Sequence, residues 1–209
     1  MPGYSPPVVS RRTQPQRIVL SGPIGAGKTT VRGMLAAMGC VVIDGDSVGH
    51  SVLLPDGPAF DAVAARWSDA VVDGAIDRRA LAAVVFADPA ELDDLVAITH
   101  PAIAAEIARR VEEAGDRDVV VELPLIEGIV EETTRWHRLV VLAEDDVRLR
   151  RLLARGMDEE DARRRMAAQP DLPEWERSAA SIIRNDGDFG DLAAAVDVWW
   201  AKRAADVDG

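Results

Sequence analysis

The stretch GPIGAGKTT, Gly22 to Thr30, contains residue types and spacings suited to holding phosphate. It fits the pattern G-x-x-x-x-G-K-[ST], with Pro23 at one of the free positions. Glycines let the backbone curl so that successive N–H groups point inward, and a following helix adds free N–H groups and the positive end of its dipole. On this reading Gly22, Pro23, Ile24, Gly25, Ala26, Gly27 and Thr30 form the cradle. Lys28 reaches the β- and γ-phosphates of a nucleotide, and the Thr29 hydroxyl ligates Mg²⁺. The plainer alternative is a glycine-rich turn with no ligand. The loop alone does not say what receives the phosphate.

Acids and arginines elsewhere supply candidates for the rest of a transfer site. In DGD, Asp44 and Asp46 lie where a second apolar run ends, and alternation puts both on one side if the strand persists. Phosphoryl transfer to an alcohol needs a carboxylate that orients the hydroxyl and takes its proton, and Asp46 is the better placed. Its competing role is capping a helix that starts near Ser47. Glu122 closes the run VVVE, an arrangement suited to holding a Mg²⁺-bound water. Seven arginines fall between Arg148 and Arg165; most of them can pair at i,i+4 with Glu159, Glu160 and Asp161 on a solvated helix face. Arg155 stands apart, at the break ARGM, where a lid could bring it onto transferring phosphates; Arg165 is the second candidate. Three scattered histidines and one cysteine offer no zinc-ligand spacing.

These residues need a frame. Ile18-Val19-Leu20, in a strand over 17–21, leads into the loop, and Val31, Met34, Leu35 and Met38 then recur at helical spacing. Further strands are expected over Cys40–Ile43, Val119–Val121, Leu139–Leu142 and Ser181–Ile183. A mainly helical stretch is expected from about Ser47 to Gly115, with Pro101 opening a new helix within it. Helices are also expected through Leu149–Leu153, over Glu159–Gln169, and at the C-terminus through Leu192, Val196 and Trp199. Strands alternating with helices imply an α/β fold, a parallel five-stranded sheet flanked by helices, which binds ligands at the carboxyl ends of its strands. Residues 1–16, proline-rich and without periodicity, read as a flexible extension, and 17–209 as one folded unit.

Bulk properties set the outer bounds. A chain of 209 residues with 48% apolar and 29% charged residues is an ordinary globular composition. A net charge of −12 disfavours a nucleic-acid partner, and no apolar run approaches a membrane span. A single cysteine, Cys40, and the lack of a secretory segment point to the cytoplasm.

In order and spacing the blocks resemble the dephospho-CoA kinase family, from about Arg17 to Trp200. GPIGAGKTT is similar to that family's GGIGSGKST, and VVIDGD to its V-[IV]-D-[AG]-D. IDRRALAAVVFADPAELDDLVAITHPAI follows its R-x-x-L, F, HP-[LI]-I series; RGMDEEDARRRMAAQ follows its lid pattern, and RNDG its late N-x-G. The resemblance implies a P-loop fold like that of nucleoside-monophosphate kinases, with a helical acceptor lobe at about 47–115 and a helical lid at about 150–170. It implies ATP-dependent phosphorylation of the ribose 3′-hydroxyl of dephospho-CoA with Mg²⁺, by a monomer or weak oligomer. Asp46 becomes the base, Arg155 the lid arginine and Asn185 a residue near the adenine. Arg78 and His100 fall in the acceptor lobe, and Pro124 and Arg165 complete the substrate contacts. Several positions depart: the family's P-L-L-x-E reads PLIEG here, placing Glu127 one residue closer to Pro124, its Ala-Asp pair before the last strand reads Ala179-Ala180, LLPDGPAF carries one extra residue, and Pro23 replaces a glycine. Two alternatives stay open, another P-loop kinase of a nucleotide or small alcohol, and a nucleotide-binding relative without turnover.

Overall fold

The structure, a computed structural model, describes residue 4 and residues 15–123 and 136–205. They fall into two compact units, described separately: one holds 4, 15–43, 114–123 and 136–205, the other 44–113.

The first unit is built on a five-stranded sheet. Its strands are β1 (Arg17–Ser21), β2 (Val41–Asp44, which runs one residue past the unit), β5 (Val119–Glu122), β6 (His137–Leu142) and β7 (Ser181–Arg184), in the order β2-β5-β1-β6-β7. β1 runs parallel to both neighbours, pairing Ile18 with Val120 and with His137, and β7 runs parallel to β6. Ile18, Leu20, Val119, Val120, Val121, Leu139, Val140 and Val141 are completely buried. Continuous apolar runs rather than alternation are what helices on both faces require. On one face α1 (Lys28–Ala37) supplies Val31, Met34 and Leu35, and α9 (Phe189–Ala205) supplies Leu192, Val196, Trp199 and Trp200. On the other, Trp175 from α8 (Leu172–Ser178) packs on Val140 and Leu142. The short helix α8, capped by Asp171, was not foreseen from the sequence. The arginine-rich segment forms α6 (Asp145–Ala154) and α7 (Glu159–Ala167), separated by Gly156 at φ 84°.

Two residues expected to lie outside the fold are tied to it. Gln16 is buried and its amide donates to Asp118 Oδ1 at 2.6 Å, while the Tyr4 hydroxyl donates to Asp197 Oδ1.

The second unit corrects three local expectations. First, the strand does not persist through DGD: α2 (Gly45–Ser51) starts at once, and the Asp44 carboxylate accepts from the amides of Asp46 and Ser47. Asp44, not Asp46, is therefore the helix cap. Second, the stretch expected to be mainly helical contains a hairpin after α3 (Phe60–Arg66) and a 3₁₀ turn at Ser68–Ala70. Its strands are β3 (Val71–Val72) and β4 (Ala75–Ile76), paired antiparallel. Asp73 and Gly74 both take positive φ, 51° and 77°, the geometry of a two-residue turn whose twist matches the flanking strands. Third, after α4 (Arg78–Val85), α5 runs unbroken over Pro89–Ala114, with Pro101 inside it rather than at a new start. A proline in a helix interior costs about 3 kcal/mol through its missing N–H and its ring, and a helix of 26 residues has flanking turns enough to carry that loss.

Candidate active site

Among the described residues, every α-helix but one starts with an acid at its cap or in its first turn. α2, α4, α7 and α8 are capped by the carboxylates of Asp44, Asp77, Asp158 and Asp171, which occupy amides of the first turn. α1 has Gly27 at its cap, no side-chain cap and no acid in its first turn. Apart from that of Thr30, which turns back to the Gly27 carbonyl, its first amides lack helical partners by geometry and meet no negative charge of the helix's own, so this end of the dipole is configured for an external anion.

The loop before α1 is shaped by its glycines. At Gly22 (φ 140°) a Cβ would lie 2.2 Å from the Val141 carbonyl oxygen, so no other residue fits. Gly25 and Gly27 take φ of 80° and 104°. The amide of Ala26 turns back to the Pro23 carbonyl at 3.2 Å, and those of Thr30 and Val31 to the Gly27 carbonyl. Lys28 Nζ folds over the loop, donating to the carbonyls of Gly22 at 2.7 Å and Pro23 at 3.2 Å. This brings Lys28, one of the two lysines of the chain, onto the curl that the sequence assigned to phosphate. Thr29, by contrast, is exposed.

Three residues from distant parts of the chain hold the loop from outside. The Ile24 amide donates to Gln169 Oε1 at 2.7 Å, and the Ile24 carbonyl accepts from Arg148 Nε at 2.9 Å. Asn185, 5% exposed at the end of β7, donates from Nδ2 to the Ala26 carbonyl at 2.8 Å. Arg151 in turn donates to the Asn185 carbonyl at 2.9 Å and to its Oδ1 at 3.2 Å. Sequence reasoning assigned no site role to Arg148, Arg151 or Gln169. For Arg148 a signal existed: it stands four residues before Leu152, which is buried, so both share the inner face of α6. Burial pushes the Arg148 guanidinium below the usual arginine range, against the opposing charge of Asp145.

Glu122 stands at the end of β5, paired in register with Leu20 of β1. Its carboxylate forms an ion pair with Arg32 of α1, Nη1 to Oε2 at 2.9 Å. The strand-end acid and the loop's helix are thus brought together, with a guanidinium between them. Among the described residues no cluster of three or more His, Cys, Asp or Glu side chains could hold a metal ion.

The other candidates are placed as follows. Asp46 is exposed in the first turn of α2. Arg78 is exposed at the start of α4, and His100 is half-buried within α5, next to Pro101. These three belong to the second unit. Arg155 caps the C-terminal end of α6, exposed, with no side-chain hydrogen bond or ion pair among the described residues. Arg165 is instead engaged on the solvated face of α7: its Nε lies 2.9 Å from Asp161 Oδ2, alongside Arg163–Glu159 at 2.8 Å. Pro124 and the PLIEG block lie outside the described residues.

Among the described residues no helix is long and apolar enough to cross a membrane. A family model described as dephospho-CoA kinase matches residues 17–191. A dephospho-CoA kinase of Symbiobacterium thermophilum is 39% identical over 194 residues, covering 88% of this chain and 79% of that protein. A solved structure from Thermus thermophilus superposes with a TM-score of 0.77 at 30% identity, covering 91% of this chain and 98% of that one. A dephospho-CoA kinase from Campylobacter jejuni shares the fold with a TM-score of 0.69 at 22% identity, covering 90% and 97%.

Proposed function

The chain belongs to the dephospho-CoA kinase family, and from that premise we propose that it transfers the γ-phosphate of ATP to the ribose 3′-hydroxyl of dephospho-CoA, giving coenzyme A and ADP. The observation that carries the donor half is α1, the helix with a glycine cap, no acid in its first turn and Lys28 folded over the preceding loop.

In the reaction the bond from the γ-phosphorus to the bridging oxygen of ADP breaks, a bond to the 3′-oxygen forms, and the hydroxyl proton leaves to a base. We assign the base to Asp46, whose carboxylate is not the helix cap; Asp44 does that work. The loop amides and Lys28 hold the phosphates against the charge that builds up in transfer. Arg155, exposed at the α6–α7 junction and without an ion pair among the described residues, has charge to give to the same end. Arg165 has a weaker claim, because Asp161 already engages it. Arg78, His100 and Pro124 are assigned to the acceptor, and Asn185 to the nucleotide's surroundings. Mg²⁺ fits a sparse protein donor set, since it keeps waters and phosphate oxygens and needs only one or two protein oxygens. Thr29 Oγ1 would bind it directly and Glu122 through water, the Arg32 ion pair opposing direct ligation. When bound, the ion neutralises charge on the β- and γ-phosphates. The buried Cys40 thiol is compatible with a reducing cytoplasm.

The test is acceptor-dependent ADP release with dephospho-CoA, run beside AMP, CMP and shikimate, with Lys28→Ala as control. Release with dephospho-CoA alone, lost in a folded Lys28→Ala variant, is the expected result. Turnover with another acceptor but not dephospho-CoA would favour another kinase activity, and ADP binding without any turnover a non-catalytic relative.

A further inference from the structure

Arg148 makes contacts that neither its place in an arginine-rich helix nor phosphate transfer explains. It is 4% exposed, in a helix whose neighbouring Arg150 is 71% exposed at its side chain. Nε donates to the Ile24 carbonyl at 2.9 Å, and Nη1 to Asp145 Oδ1 at 2.8 Å. Nη2 is buried and makes no hydrogen bond among the described residues. A guanidinium kept in such a place, with one donor unsatisfied, is costly to the fold. The loop also lies against the backbone of this residue: a Cβ on Gly25 would come within 3.0 Å of the Arg148 carbonyl oxygen. On the other side of the same residue, the Ile24 amide is held by Gln169.

We propose that Arg148 is a positioning residue for nucleotide binding, which fixes the phosphate loop by gripping the Ile24 carbonyl while Asp145 anchors its other arm. It touches no phosphate itself. With the Ile24 carbonyl held by Arg148 and its amide by Gln169, the peptide planes on either side of Ile24 have one orientation. The amides of Gly25 and the residues after it then start from a fixed direction. Loop order of this kind is settled before nucleotide arrives, so its loss should weaken binding of ADP and ATP alike. The inference rests on the reading of Gly22–Thr30 as the nucleotide's phosphate loop, but not on the identity of the acceptor.

The experiment compares Arg148→Met, which keeps the apolar stem, with Arg148→Lys and Asp145→Asn. Asp145 is 73% exposed at its side chain, so Asp145→Asn loosens the anchor without opening the core. ADP affinity is read by calorimetry, alongside the KM for ATP, the KM for dephospho-CoA and the thermal midpoint. Arg148→Met should weaken ADP about tenfold and raise the KM for ATP by a similar factor, with the acceptor KM within about twofold. Lysine cannot span both oxygens as a fork does, so Arg148→Lys falls between, as does Asp145→Asn. A lowered thermal midpoint with ADP affinity unchanged would make Arg148 merely structural and overturn the proposal. If Arg148→Met does not fold, Arg148→Lys and Asp145→Asn decide: unchanged ADP affinity in both overturns it. If the wild type binds ADP but does not phosphorylate dephospho-CoA, the proposed acceptor fails while these affinities still test Arg148.

Discussion

Gly27→Ala and Gly39→Ala form a matched pair that separates backbone strain from a specific tertiary contact. Both glycines have left-handed backbone, φ 104° and 95°. An added methyl at Gly39 would meet nothing within 4 Å, whereas at Gly27 it would sit 2.2 Å from Asn185 Nδ2. Gly39→Ala should therefore cost only the dihedral penalty, about 1–2 kcal/mol. At Gly27 the same penalty applies, and Asn185 must also move. It has little freedom to do so, being 5% exposed, bonded to the Ala26 carbonyl and held by Arg151. Displacing its amide leaves a buried carbonyl without that donor, adding about 1–3 kcal/mol, so Gly27→Ala should cost about 2–5 kcal/mol in all. Against a total stability of about 5–15 kcal/mol, that difference is readily measured. Urea unfolding at constant slope without nucleotide gives both numbers, and repeating it with ADP should widen the gap, because only Gly27 lies in the loop. Equal destabilisation by the two substitutions would refute the claim that Asn185 fixes the loop at Ala26.

Three further outcomes follow from other contacts in the structure. Asp46→Asn should lower kcat by about 10²–10⁴-fold with unchanged stability. Asp44→Ala should instead lose a helix cap, about 1 kcal/mol by urea unfolding; the reverse pattern would exchange the two roles. His137 accepts at Nδ1 from Arg203 Nη1, 2.9 Å away, which leaves Nε2–H to donate to Ser181 Oγ at 2.8 Å and fixes the ring as neutral. Burial, then the charge of Arg203, pushes its pKa below the usual 6.5, so the unfolded chain takes up the proton first. The stability this group contributes is complete above pH 6.5 and is lost as pH falls from there through the folded-state value. His137→Gln should flatten the fall in urea midpoint between about pH 8 and 5.5; an unchanged slope would assign it to other groups.

What the sequence made legible was what is contiguous in it. The cradle Gly22–Thr30 and the apolar runs of β1, β5 and β6 each carry their own local pattern, and helix spacing after the loop identified the inner face of α1. The hairpin was also written locally: VVDGAI places Asp73-Gly74 between apolar pairs, a strong two-residue turn signal that the surrounding helical periodicity masked. DGD misled because an acid after a strand reads equally well as a strand continuation, a cap or a base, and only the backbone distinguishes Asp44 from Asp46. The arginine run read as a solvated face, which Arg163 and Arg165 obey and Arg148 does not. What no local pattern encodes is the pairing of Ile24 with Arg148 and Gln169, or of Ala26 with Asn185, because each joins segments more than a hundred residues apart.

Those long-range bonds explain how a loop of glycines can be an ordered site at all. Glycine gives the loop its positive φ values and its close approach to Val141, but it also gives an unfolded chain many other conformations to occupy. Order has to come from elsewhere. Here it comes through polar groups of Ile24 and Ala26 that α6, the segment after α7, and the end of β7 each engage. The aspartates that cap α2, α4, α7 and α8 do the opposite service for their own helices, filling the kind of first-turn amide that α1 leaves without a side-chain cap. A side-chain cap in place of Gly27 would meet both constraints badly: it would strain the backbone against Asn185 and put a competitor at the helix end proposed to hold phosphate.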